Sequence, residues 1–151
     1  MKPLRSLLFL VAALPTLTLS QGIPKLARCF GKDFSAYEAI LGTKSERGQD
    51  VSQQYRIYRR GRNGNVTLGK DNGALNVTVI LVMFPCRLNW RDALRQLGLS
   101  SVHCHLVYEH GYFLIEGCRD LPKGWMVWWQ PNVPDTKQSE ISLGVPHPMV
   151  K

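Results

Sequence analysis

LNVTVILVMF at residues 75–84, PCRLNWRDALRQLG at 85–98 and VHCHLVYEHGYFLIEGC at 102–118 form the stretch around which the chain is organised. In an extended chain Leu75, Val77, Val79, Leu81 and Met83 fall on one side and are apolar throughout. Asn76, Thr78, Ile80, Val82 and Phe84 fall on the other, polar first and apolar later. That pattern predicts a strand over 75–84, half exposed at its start and buried on both faces at its end. Pro85 stops it. Asn89 then caps a helix from Trp90 to Leu97, with Trp90, Ala93, Leu94 and Leu97 at helical spacing and Gly98 as its end. His103–Tyr108 and Tyr112–Gly117 read as a hairpin turning at His110-Gly111.

Working outward, Asp33 caps a second helix, Phe34–Leu41, with Phe34, Tyr37, Ile40 and Leu41 on one face and Gly42 as the stop. Thr43–Asp50 is polar and reads as a loop. Gln54–Arg60 reads as a partly exposed strand, Gly61-Arg62-Asn63-Gly64 as a turn, and Val66–Lys70 as the returning strand. Trp125–Trp129 is a strand with apolar residues on both faces. From Asn132 to Lys151 the chain is rich in proline and shows no periodicity, which predicts a flexible tail. The expected fold is α+β: a small disulfide-linked domain with a mainly antiparallel sheet and two short helices, spanning 23–131, followed by a tail over 132–151.

The N-terminus carries a secretory pattern. Lys2 and Arg5 precede an apolar run, Leu7–Leu14, and Thr18 and Ser20 suit cleavage after Ser20; Ser20 and Gly22 suit cleavage after Gly22. No later apolar run reaches the ~18 residues of a membrane span. Without Lys2 and Arg5 the balance is 17 basic to 11 acidic side chains, about +6. A basic secreted chain is suited to an extracellular protein or a glycosaminoglycan as partner. Neither a nucleic acid nor a cofactor is expected. Asn65 and Asn76 each open an Asn-Val-Thr sequon.

Four cysteines behind a signal sequence read as two disulfides. A two-residue turn at His110-Gly111 pairs Cys104 with Gly117, and strand alternation then sends Cys104 and Cys118 to opposite faces unless a bulge intervenes. The expected pairs are therefore Cys86–Cys104 and Cys29–Cys118. The order of Cys29, Cys86, Cys104 and Cys118 resembles the N-terminal modules of zona pellucida-type coat proteins, in which first pairs with fourth and second with third. The resemblance covers these four residues, and the helix between Cys86 and Cys104 departs from that mainly β pattern.

Arg56, Arg59, Arg60 and Arg62, with Lys70 across the hairpin, form the densest basic cluster and the first candidate binding site, for a polyanion or a protein. The cluster also contains an Arg-x-x-Arg pattern of the kind proprotein convertases cut, and it equally suits a solvated hairpin edge. Trp125, Trp128 and Trp129 are the second candidate: they cannot all face one core, so either the strand is sandwiched or one tryptophan anchors an interface. His103 and His105 share a strand face, with Glu116 opposite His105, yet they lack a third strong metal ligand once Cys104 is oxidised. Neither a metal site nor a catalytic residue is assigned: no Gly-x-Ser-x-Gly, His-Glu-x-x-His or phosphate-loop pattern occurs. The expected role is a secreted, non-enzymatic binding glycoprotein. The alternatives are a component of an extracellular coat or matrix, a heparin-type polyanion binder, and a small hydrolase using His103 or His105.

Overall fold

The computed structural model describes residues 23–146. The expected signal sequence, and the last five residues of the expected tail, lie outside that range. Two helices form where their caps demand. In α1 (Phe34–Leu41) the Asp33 carboxylate accepts from the Ala36 backbone N–H; in α2 (Trp90–Leu97) the Asn89 side chain accepts from that of Asp92. Gly42 and Gly98 end them with positive φ.

Eight strands make one antiparallel sheet: β1 (Glu46–Gln49), β2 (Gln53–Arg59), β3 (Asn65–Asp71), β4 (Val79–Phe84), β5 (His105–Glu109), β6 (Tyr112–Glu116), β7 (Met126–Gln130) and β8 (Ser139–Gly144). Their order across the sheet is β1-β2-β3-β4-β8-β7-β6-β5. Two meanders, β1–β4 and β5–β7, are thus joined through β8. The α+β class holds at this level, with a larger sheet than the sequence indicated.

Register divides the sheet into two faces. Tyr58, Val66, Val82, Ile141 and Trp129 line up across β2, β3, β4, β8 and β7, all buried. Leu68, Ile80, Leu143, Val127 and Ile115 form the next buried row. Both helices close over this inner face: Tyr37 from α1 and Ala93, Leu94 and Leu97 from α2 are fully buried in the same core, with Leu26 from the N-terminal turn. Ile40, expected on the core side of α1, is instead exposed.

Several expectations are corrected. Within the expected tail, the described residues 132–146 are not free: Ser139–Gly144 is β8, hydrogen-bonded between β4 and β7, with Ile141 and Leu143 wholly buried, so the domain continues past 131. The polar segment 43–50 contains the edge strand β1, where the Tyr55 ring lies in the space a Gly48 side chain would take. The long strand begins at Val79 rather than Leu75. Leu75 and Asn76 are exposed, while Val77 is buried and donates its backbone N–H to the Lys32 carbonyl.

The disulfide pairing is also corrected. Cys104 is bonded to Cys118, with Cα atoms 4.7 Å apart, and Cys29 and Cys86 are free, the first buried and the second exposed. Both expected pairs, Cys86–Cys104 and Cys29–Cys118, are thereby excluded. The hairpin register itself is as read, with Glu109 opposite Tyr112 and His105 opposite Glu116. What differs is Gly117, whose φ of 78° ends the alternation after Glu116 and brings Cys118 to the side of Cys104.

Candidate binding face of the sheet

The inner face belongs to the core, so the opposite face is where chemistry is available. Its row across the middle is Ile57, Thr67, Leu81, Ser142, Trp128, Leu114 and Val107. Val79, Leu81, Met83, Leu114, Met126 and Trp128 belong neither to the core nor to the side chains packed against it. Strand alternation puts them there: each is one residue out of phase with a buried neighbour on its own strand. Four of them, Val79 of β4, Leu114 of β6 and Met126 and Trp128 of β7, line an open apolar groove of about 640 Å³ that Tyr112 and Val145 also border. Tyr112 is 67% exposed and Val145 46%. Glu109 and His110 give one end a polar lip.

The three tryptophans have three different environments. Trp129 is buried in the core, Trp125 stacks on Phe30 with ring centroids 5.3 Å apart, and Trp128 faces the groove. Parity along the strand had grouped Trp128 with Met126, but nothing in the sequence said which side would be left uncovered by helices.

The arginine cluster is divided. Arg56 points to the inner side, ion-paired to Glu38 with its guanidinium 4.4 Å from the centre of the Phe34 ring. Lys70 approaches the same ring at 5.4 Å. These two cations hold α1 against β2 and β3. Arg59 points to the outer side and grips the Glu46 carboxylate through Nε and Nη2, which holds the Glu46 pKa below its ordinary value. Of the five, Arg60 and Arg62, past the end of β2, carry neither an ion pair nor a ring contact among the described residues. Lys44 and Arg60 there flank a second groove of about 370 Å³. Five cations in sequence are therefore two structural contacts, one neutralised pair and two unpaired charges.

The histidine-bearing strand carries surface histidine–carboxylate contacts. His105 Nε2 lies 3.5 Å from the Glu116 carboxylate, and both side chains are well exposed. Among the described residues no group of three or more His, Cys, Asp or Glu is placed to hold a metal. No helix among them is long and apolar enough to cross a membrane. The sequon asparagines differ: Asn76 is exposed in the connection before β4, while Asn65 is half-buried on the outer face opposite Met83, at the end of β3 away from Val79.

No family model, curated protein or solved structure matches this chain.

Glu140, within the expected tail, sits on the outer face of β8 opposite Met83 and Gln130, in a crevice shared with Tyr112 and Trp128. Burial raises its pKa above the ordinary carboxyl value. Folding thus favours the neutral acid. The stability it contributes is full below the unfolded-state pKa and is lost as pH rises through the folded value. Glu140→Gln is accordingly expected to raise the melting temperature at neutral pH and to leave it unchanged in acid below the ordinary carboxylate range. Thermal melts of both proteins across that range check this; a destabilised variant at neutral pH would contradict it.

Proposed function

We propose that this chain is a secreted, non-enzymatic binding glycoprotein that holds an extracellular protein partner on the outer face of its sheet, with Trp128 at the centre of the contact. One observation carries the reading: the apolar groove of about 640 Å³ formed by Trp128, Met126, Leu114 and Val79 on the face that the core does not use. A flat tryptophan bounded by aliphatic side chains and a rim of Tyr112, Glu109 and His110 has the composition of an interface centre, apolar and aromatic inside and polar outside. The groove is open to solvent rather than enclosed, which suits an exposed segment of a protein.

Secretion is supported by the N-terminal signal pattern and by two sequons in a chain that carries a disulfide. A glycan on Asn65 would stand away from the groove, because Asn65 lies at the Met83 end of β4 and the groove at the Val79 end. The division of the arginine cluster weighs against a polyanion site as the main role.

A random peptide library displayed on phage and selected on the mature chain tests the proposal. Selected peptides are expected to be rich in apolar residues and to lose at least about tenfold in affinity for Trp128→Ala, as truncating a hot-spot tryptophan does. Tyr112→Ala, at a position 67% exposed, tests the same surface with little risk to the fold. Peptides that bind both variants as well as the parent would place recognition elsewhere.

A further inference from the structure

The sheet has two edges, and they are finished differently. β1 is four residues long, and its Glu46, Arg47 and Gln49 are the charged and polar residues that keep an edge from pairing. β5 is His105-Leu106-Val107-Tyr108-Glu109, with no lysine, arginine or proline, and four of its five residues are exposed. Leu106 is 37% exposed and Tyr108 65%, although register places both on the side where the core lies elsewhere in the sheet.

We propose that a second copy of this chain docks on that edge, β5 against β5, antiparallel about a twofold axis through Val107. The strand is self-complementary in that register and in no neighbouring one. Val107 meets Val107 of the second copy on the axis. Leu106 of each copy meets Tyr108 of the other. His105 of each meets Glu109 of the other on the outer face, joining the Glu116 that already lies 3.5 Å from His105. A histidine facing a carboxylate and an aliphatic–aromatic pair directly across an antiparallel ladder are both favourable. A shift by two residues sets Val107 opposite Glu109 or His105 and loses these matches.

The backbone agrees with the same register. His110 and Gly111 both have positive φ, so the two-residue turn closes on a hydrogen-bonded pair, Glu109 with Tyr112. Alternation then directs the N–H and C=O groups of residues 105, 107 and 109 to β6, and those of Leu106 and Tyr108 outward. Leu106 opposite Tyr108 of the second copy is a hydrogen-bonded pair, so both outward-pointing residues are satisfied on each chain. The product is one continuous sheet of two copies. Because the axis runs perpendicular to the sheet, the two Trp128 grooves open on the same side.

Sedimentation velocity over a concentration series, together with cysteine cross-linking in a Cys86→Ser background, tests this. The parent is expected to show a reversible monomer–dimer equilibrium. Val107→Cys is expected to form a disulfide-linked dimer readily, since facing Cα atoms in a non-hydrogen-bonded antiparallel pair are about 4.5 Å apart, within the span of a disulfide. Leu106→Cys, exposed on the same edge but facing Tyr108, is expected to cross-link far more slowly. Tyr108→Pro removes an outward N–H without touching the β6 ladder, and Leu106→Lys/Tyr108→Lys adds charge to the edge; both are expected to be folded monomers by circular dichroism and sedimentation. A parent that stays monomeric at its highest soluble concentration, equal cross-linking at 106 and 107, or a dimer untouched by both edge variants would each overturn the proposal.

Discussion

Ending the chain after Gln138 is expected to abolish the fold. β8 pairs with β4 from Val79↔Gly144 to Phe84↔Ser139 and with β7 from Met126↔Gly144 to Gln130↔Glu140, so it is the only strand linking the two meanders among the described residues. Its removal exposes an inner edge of β4 and of β7 and takes Ile141 and Leu143 out of the core. A single buried Leu or Ile cut back to Ala costs about 2–5 kcal/mol, and a domain of this kind has only about 5–15 kcal/mol in all. Losing both side chains and two ladders exceeds that reserve. The 1–138 chain should show no cooperative thermal transition and no dispersed amide spectrum. The milder Leu143→Ala should fold with a stability lower by roughly 2–5 kcal/mol in urea. A native-like melt for the truncated chain would restore the reading of 132–151 as a tail.

Cys118→Ser should cost more than substitution of either free cysteine. The Cys104–Cys118 bridge spans 14 residues, and closing a loop of about that size removes roughly 3 kcal/mol of unfolded-chain freedom. Cys104→Ser should cost the same, and the double variant little more, because one bond is lost in each case. Cys86→Ser, at an exposed free thiol, should change stability by no more than about 0.5 kcal/mol. Native alkylation should label Cys86 first, since Cys29 is buried and burial raises its thiol pKa, leaving less of the reactive thiolate. Large and equal losses from Cys29→Ser and Cys118→Ser would instead indicate that those two are bonded.

Local chemistry made the helices and hairpins legible. Asp33 and Asn89 each sit one residue before a helix and cap it, Gly42 and Gly98 end the helices, and His110-Gly111 fixes the β5–β6 register. β8 was missed for a physical reason. Only Ile141 and Leu143 of Ser-Glu-Ile-Ser-Leu-Gly are large and apolar, and prolines at 131, 134 and 146 flank the segment. Period-two alternation was nevertheless present, with buried 139, 141 and 143 interleaved with half-buried 140 and 142. β1 has no apolar side chain to signal a strand and is defined only by its pairing with β2. The disulfide failed at one residue, because alternation holds only while the chain stays extended and Gly117 does not.

The candidate site was legible to the same degree. The sequence separates Trp128 from Trp125 and Trp129 by parity, but two helices covering one face and not the other is a tertiary fact. The basic cluster looked concentrated because five cations are close in sequence or across one hairpin. Register then sends Arg56 and Lys70 inward to Phe34 and Arg59 outward to Glu46.

Whether the Trp128 face or the arginine hairpin carries recognition is decided most directly by one binding titration. The strongest phage-selected peptide is titrated against the parent, Trp128→Ala/Tyr112→Ala and Arg60→Ala/Arg62→Ala under identical salt. The predicted result is a loss of at least about tenfold for the first variant and parental affinity for the second. Parental affinity for the first and a large loss for the second would contradict it.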